Sequence, residues 1–161
     1  MALLLFVSLS CRSNCRLELK NMCMLKQTST VRNNRSVIPT RYTLLGWGVR
    51  KMTFLDCGKV SFSNPVRQSL FTFADCLDGG KSKSQAAADA MRLIFPGVQT
   101  EAVDLAIPMP GHSVSDKMVP QVMNDVRKLD QLVSDHDAIF LLMDTRESRW
   151  LPTVMANAKG K

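Results

Sequence analysis

Apolar positions alternate along the chain between short strand-like runs and longer helical patterns, beginning at Thr43. Residues 49–55 (VRKMTFL) and 98–107 (VQTEAVDLAI) are bounded by polar and turn residues and predict two strands. Residues 138–143 (AIFLLM) form an unbroken apolar run, which is typical of a strand buried on both faces of a parallel sheet.

The segments between these strands have a helical period. Residues 81–95 and 121–134 repeat their apolar side chains every three to four positions, which predicts two amphipathic helices. Their predicted apolar faces are Ala87, Ala90, Met91, Ile94 and Phe95 in the first, and Val122, Met123, Val126, Leu129, Leu132 and Val133 in the second. Residues 44–48 (LLGWG) resemble the last turn of a helix with its glycine cap. Strands and helices in alternation predict an α/β domain with a parallel sheet and flanking helices.

Residues 1–42 differ from the rest of the chain. They contain no glycine, and residues 12–42 show no sustained period of 2 or 3.6. Residues 1–11 resemble the apolar core of a secretory signal but lack its positively charged start, so a variant terminus without a targeting role is the alternative that we favour. We therefore expect a poorly ordered basic leader over residues 1–42 and one domain over residues 43–161.

The net charge of +7 belongs almost entirely to that leader. Residues 1–42 hold 7 Lys or Arg against Glu18 alone, whereas residues 43–161 have a net charge of +1. A nearly neutral domain does not support a basic groove for nucleic acid. The longest uncharged apolar stretch, residues 1–11, is shorter than the ~18 residues that a membrane-spanning helix needs.

The cysteines and histidines do not form a recognisable reactive or metal site in the sequence. Five cysteines at uneven spacing fit reduced thiols better than a disulfide framework or a zinc finger. We expect Cys76 to pack in the interior and Cys57 to be an inert loop thiol. His112 and His136 have no neighbouring nucleophile and are interpreted as structural.

Two acidic residues follow predicted strands, Asp56 after residues 49–55 and Asp144 after residues 138–143. Ligands of open parallel sheets bind beyond the carboxyl ends of the strands, so Asp56 can accept hydrogen bonds from ribose hydroxyls. A turn or helix cap is the alternative for either acid. Asp144 can also bind magnesium, because Mg²⁺ takes one or two carboxylates and completes its shell with water and phosphate oxygens.

Basic residues stand between these two acids in the sequence. Arg67 in NPVRQ, with Lys81 and Lys83 in GGKSK, can neutralise a triphosphate, or they can be ordinary solvated side chains. The GKS string is not a P-loop, because that motif requires a glycine where this chain has Asp75.

Seven motifs are spread over residues 43–161. They are LLGWGVR (44–50), FLD (54–56), VSFSNPVRQ (60–68), CLDGGKSK (76–83), IFP (94–96), IPMPGH (107–112) and FLLMDTRESRWLPTV (140–154). Together they closely resemble the ubiquitin-activating (ThiF-like) family, and within it the branch that acts in autophagy. NPVRQ and DTRESRW are the most specific of them, and none of residues 1–42 take part in the resemblance.

The resemblance implies a Rossmann-like adenylation domain. With ATP and Mg²⁺, such enzymes adenylate the carboxyl-terminal glycine of a ubiquitin-like protein, capture it as a thioester and pass it to a conjugating enzyme. The implied partners are the ubiquitin-like proteins of autophagy, their conjugating enzymes and a second copy in a homodimer, in the cytoplasm. By position, Asp56 would hold the ATP ribose, Asn64, Arg67 and Gln68 would lie along the phosphates, Lys83 would neutralise phosphate charge, and Asp144 would bind magnesium. Arg67 and Lys83 would be the catalytic residues.

The sequence also departs from the family pattern. No glycine precedes Gly46, so we expect the family's first strand and glycine-rich phosphate loop to be missing. Cys57 stands where the family usually has asparagine, and the catalytic cysteine is expected to lie outside this chain. We therefore expect a fragment that is inactive alone. A non-catalytic derivative that binds a partner or dimerises is the alternative, and a nicotinamide-dependent oxidoreductase, suggested by Asp56 alone, has no place for NPVRQ or DTRESRW.

Overall fold

The fold is known from a computed structural model that describes residues 4–8 and 44–161. In chain order the strands and helices are β1 (Leu4–Ser8), β2 (Lys51–Leu55), α1 (Lys83–Ile94), β3 (Gln99–Val103), α2 (Val119–Asp135), β4 (Ala138–Leu141) and α3 (Arg146–Ala158). Residues 44–46 are helical and lead into β2, as predicted. Of the helices described, none combines the length and the apolar character needed to cross a membrane.

The strands form one sheet in the order β3-β2-β1-β4. β2 and β3 are parallel, whereas β1 is antiparallel to both of its neighbours, β2 and β4. It follows that β2, β3 and β4 all run in the same direction. The predicted α/β class with flanking helices is confirmed, but the sheet is mixed rather than wholly parallel, because its central strand is reversed.

The reversed strand β1 comes from the segment that we assigned to the leader. The place of a first strand, expected to be missing, is thus occupied by Leu4–Ser8. Leu4 lies opposite Leu55 and Leu141, so the amino end of β1 meets the carboxyl ends of β2 and β4. Residues 9–43 lie outside the described residues, and the poor order expected for them stays a prediction.

Because successive side chains of a strand point to opposite faces, β1 contributes to both sides of the sheet. Leu5 and Val7 join the core beneath α1, and Leu4 and Phe6 join the core beneath α2 and α3. All four side chains have 0% exposure. The domain is therefore a three-layer α/β/α arrangement with β1 at its centre.

The expectation that AIFLLM is buried on both faces is wrong for β4. Its four residues are only half-buried, since β4 pairs with β1 alone and forms an edge of the described sheet. At the end of α1, Ile94 and Phe95 are exposed rather than buried. The Phe95 ring instead lies 4.5 Å from the Arg50 guanidinium, in a cation–π contact.

Candidate functional site

The carboxyl ends of β2, β3 and β4 lie side by side along one side of the sheet, which is called the sheet edge below. Each of these strands is followed by an aspartate. Asp56 comes directly after β2 and Asp104 directly after β3, while Asp144 follows β4 after two further residues. Asp56 is only 2% exposed, whereas Asp104 and Asp144 are exposed. In open α/β sheets this edge is where ligands bind.

The Asp56 carboxylate is held by the backbone around it. Its Oδ1 accepts a hydrogen bond of 2.8 Å from the Gly58 amide, and the Asp56 amide donates to the Val103 carbonyl at 3.2 Å. These bonds secure the residue to the turn after β2 and to the end of β3. A buried carboxylate in a fixed orientation is suited to accept hydrogen bonds from a neutral polar ligand.

Backbone pairing brings the start of α1 beside this turn. The Val60 amide donates to the Lys81 carbonyl at 2.8 Å, and the Lys83 amide donates to the Gly58 carbonyl at 2.9 Å. A side-chain Cβ placed on Gly58 would lie 3.1 Å from Asp56 Oδ1 and 3.5 Å from Lys83 Nζ. The carboxylate of Asp56 and the ammonium group of Lys83 therefore border the same small space, which the glycine leaves open.

Gly80 makes that close pairing possible. Its φ is +81°, and a Cβ at this position would lie 2.1 Å from the Val60 carbonyl oxygen. No other residue fits there without moving the backbone, because that separation is far below van der Waals contact. Gly80 in CLDGGKSK thus helps to position Lys83, although the motif is not a phosphate loop.

The NPVRQ segment forms a compact turn around Asn64. The Asn64 side-chain oxygen accepts from the Ser61 amide at 3.1 Å, and its carbonyl accepts from the amides of Arg67 and Gln68 at 3.1 and 2.8 Å. Asn64 and Gln68 are buried, while Arg67 is exposed. Asn64 therefore has a structural role in the turn. The phosphate contacts assigned to these three residues stay predictions.

Asp144 lies at the other end of the same sheet edge, immediately before α3. Thr145 is the N-cap of that helix, and its Oγ1 accepts a 3.4 Å hydrogen bond from the Ser148 amide. Within residues 4–8 and 44–161, His, Cys, Asp and Glu side chains do not group in threes that could hold a metal ion by themselves. One exposed carboxylate is nevertheless a donor set that fits Mg²⁺ when phosphate oxygens and water supply the other ligands.

The thiols and the buried histidine are placed as the sequence predicted. Cys76 is buried, and its Sγ lies 3.4 Å from the Ser61 carbonyl. His136 is buried, with Nδ1 2.8 Å from the Leu132 carbonyl and Nε2 3.0 Å from the Thr53 hydroxyl. These contacts confirm a packing role for the thiol and a structural role for the histidine.

Cys57 directly follows the buried Asp56 and is exposed. Partial burial of its sulfur raises the pKa of the thiol, and the negative charges of Asp56 and Asp104 raise it further, while Lys83 acts in the opposite direction. A thiol with a raised pKa is a weak nucleophile at neutral pH. The expected inert loop thiol fits this environment.

Two residues of this edge were missed by sequence reasoning. Asp104 follows β3 just as Asp56 follows β2, so the same rule about strand ends could have identified it. Arg149 stands inside DTRESRW but was given no role, and its guanidinium donates to the carbonyls of Met143 and Asp144. Only the folded chain reveals this contact, because a helical turn must first bring the side chain back over the loop.

Comparison with known proteins matches most of the chain to one family. A model of the ThiF family matches residues 39–161. The ubiquitin-like modifier-activating enzyme ATG7 of Mus musculus is 59% identical over 121 residues, which are 74% of this chain and 17% of that enzyme. The enzyme of the same name from Gibberella zeae is 59% identical over 118 residues, 73% of this chain and 17% of the relative. That from Dictyostelium discoideum is 55% identical over 119 residues, with shares of 74% and 17%. The chain thus spans about 17% of the length of these curated relatives.

Proposed function

Because this chain belongs to the ThiF family, we propose that it is part of a ubiquitin-like modifier-activating enzyme that adenylates its protein substrate with ATP and Mg²⁺. One observation supports this above the others: the Asp56 carboxylate and the Lys83 ammonium border the same space above Gly58, on the sheet edge where nucleotides bind. The names of the relatives agree with it, since they are ubiquitin-like modifier-activating enzymes.

The residues at this edge fit the two parts of a nucleotide. Asp56 is a fixed acceptor, suited to the ribose hydroxyls, and Lys83 is a half-buried cation close to it, suited to phosphate oxygens. Arg67 would approach the phosphates from the NPVRQ turn, which Asn64 shapes and Gln68 completes. These five residues would hold ATP at both ends. Asp56 would bind the uncharged ribose, and the others would lie along the charged phosphates.

Adenylation joins two anions, the carboxylate of the ubiquitin-like protein and the α-phosphate of ATP. Lys83 and Arg67 would lower the repulsion between them, and pyrophosphate would leave as the new acyl–phosphate bond forms. Asp144 would hold Mg²⁺, which neutralises phosphate charge when bound. We also propose that the enzyme acts in the cytoplasm as a homodimer. Its partners would be the ubiquitin-like proteins of autophagy and their conjugating enzymes.

The test uses residues 43–161 grafted in place of the matching segment of the Mus musculus relative. Asp144→Ala, Arg67→Ala and Lys83→Ala should each lower pyrophosphate exchange by ~10²-fold, the scale for deleting one preorganised charge-stabilising group. Lys81→Ala is the matched control, because Lys81 forms an ion pair with Asp89 on the surface. Cys76→Ala should leave thioester transfer nearly intact.

Normal exchange per folded molecule in the Asp144 and Arg67 variants would contradict the proposal. Loss of folded protein, with normal activity in what remains folded, would assign these residues to stability instead. Equal losses in the Lys81 and Lys83 variants would remove the special role of Lys83.

One observation favours a second candidate function for the 161-residue chain itself, that of a non-catalytic module that binds a partner or dimerises. Since β1 is antiparallel, Ser8 lies opposite Lys51, and the carboxyl end of β1 points away from the edge that holds Asp56. Ser8, the last residue of β1, therefore lies at the end of the sheet opposite to the end that holds Asp56. The purified chain should not catalyse ATP–pyrophosphate exchange with a ubiquitin-like protein, and robust exchange at micromolar ATP would refute this.

A further inference from the structure

The loop that presents Asp144 is tied down by a side chain from the helix that follows it. Arg149, in the first turn of α3, donates from Nε to the Met143 carbonyl at 2.7 Å and from Nη2 to the Asp144 carbonyl at 3.3 Å. Two nitrogens of one guanidinium thus bind two consecutive carbonyls. β4 ends at Leu141, so these carbonyls lie beyond its ladder and receive their hydrogen bonds from Arg149 instead.

The rest of the same loop is also held in place. The Met143 side chain is 1% exposed and packs in the core beneath α2 and α3. On the other side of Asp144, the Ser148 hydroxyl donates to the Thr145 carbonyl at 3.0 Å. Asp144 therefore stands between a buried anchor and a capped helix start, and Arg149 links the two.

We propose that Arg149 is a positioning residue that fixes the Asp144 carboxylate for metal binding. The proposal rests on the assignment of Asp144 to Mg²⁺ made above, and it adds the group that holds the ligand still. A lone carboxylate gains from such support, because fixing a metal ligand in advance removes the cost of ordering it when the metal binds.

The geometry distinguishes this role from a purely electrostatic one. A positive charge near a cation site opposes metal binding by Coulomb repulsion. If charge dominated, removing it would strengthen binding; if the two hydrogen bonds dominate, removing them weakens it. Lysine keeps the charge but does not reproduce the two-nitrogen fork, so Arg149→Lys isolates the hydrogen-bonding geometry.

The experiment follows Mn²⁺, added with ATP, by paramagnetic broadening of amide resonances in the full 161-residue chain. In the unmodified chain the amides of Asp144 and Thr145 should broaden, and Asp144→Asn should abolish the effect. Arg149→Lys and Arg149→Gln should each raise the Mn²⁺ concentration for half-maximal broadening by about tenfold, the usual scale for losing a group that orients a metal ligand. Arg146→Lys, an exposed arginine in the same helical turn, is the matched control and should leave that concentration unchanged.

A double variant separates positioning from a general loosening of the fold. Asp144→Asn alone should already abolish Mn²⁺ broadening at positions 144 and 145, so the double variant with Arg149→Lys should give the same unbroadened spectrum, because the ligand that Arg149 orients is gone. Dispersion of the resonances outside residues 142–150 should stay as in the unmodified chain. Collapse of the whole spectrum in Arg149→Lys would assign the arginine to the fold and overturn the proposal.

The remaining outcomes are also decisive. No broadening at Asp144 in the unmodified chain would refute the metal assignment in the proposed function, and the positioning role with it. Broadening in the unmodified chain, with the same half-maximal concentration in Arg149→Lys, would overturn the positioning role alone. Tighter binding in Arg149→Gln would show that charge, not geometry, governs the site.

Discussion

The two ends of the sheet edge that holds the candidate site are built differently. At the β2 end, Asp56 is buried, accepts a backbone hydrogen bond and borders the same space as Lys83. At the β4 end, Asp144 is exposed, and it is the backbone on either side of it that is fixed. The first arrangement suits a neutral polar group taken out of water, and the second suits a hydrated cation that keeps most of its own ligands.

β1 is the element that joins these two ends. It pairs with β2 on one side and β4 on the other, and its first residue lies at the edge that holds both acids. The relative position of Asp56 and Asp144 therefore depends on a strand from outside the segment that resembles the family.

The largest effect should come from weakening that strand. Leu5→Ala, at the second residue of β1, should lower the free energy of unfolding by about 2–5 kcal/mol, because the side chain is fully buried and its loss leaves a cavity. Leu93→Ala on α1 is the matched control, since Leu93 is 85% exposed and its loss should cost less than about 0.5 kcal/mol. Urea unfolding of the full chain measures both losses of stability. Equal losses for the two variants would contradict the central position of β1 in the sheet.

An intermediate effect should separate the two acids. Asp56→Ala leaves the Gly58 amide without its acceptor and should cost about 1–3 kcal/mol of stability. Asp144→Ala changes an exposed side chain and should cost less than about 0.5 kcal/mol. The same urea titration compares them. A larger cost for Asp144→Ala would mean that the β4 end, not the β2 end, is the preorganised one.

The smallest effect should appear in the chemistry of Cys57, which reports the charges around Asp56. Its pKa is raised, chiefly by burial, so less thiolate is present at pH 8 than in an ordinary cysteine, and alkylation should be correspondingly slower. Asp104→Asn removes a charge that raises this pKa and should speed alkylation, whereas Lys83→Met should slow it, each by less than about threefold.

Iodoacetamide labelling with mass spectrometry of the Cys57 peptide measures these rates. Asp144→Ala is the control, because that carboxylate is not among the charges that shift the Cys57 pKa. If Asp144→Ala changed the alkylation rate as much as Asp104→Asn does, the charge of Asp144 would also act on Cys57, and the two ends of the edge would not be electrostatically separate.

The family resemblance and the order of the elements were both accessible from the sequence. The predicted strands at 49–55 and 98–107 contain the observed β2 and β3, and the predicted helices at 81–95 and 121–134 overlap α1 and α2. Helix α3 was not predicted. Pro152 lies inside this helix, and a proline in a sequence usually indicates a helix end. Asp56 and Asp144 were identified because each directly follows an apolar run, which is a local signal.

What the sequence by itself determined are the features that a few neighbouring residues specify: the periods of 2 and 3.6, the strand ends, the glycine turn and the motifs. The tertiary structure alone decided the direction of β1, the placing of Asp56 and Lys83 beside the same space, and the contact of Arg149 with the Asp144 loop. LLFV in β1 is apolar at every position, so it has no polar alternation to specify a face, and its direction is set by pairing with residues more than 40 positions away. Lys83 lies near Asp56 only because the backbone around Gly58 and Val60 pairs with the backbone at Lys81 and Lys83, and such pairing depends on the rest of the core being formed.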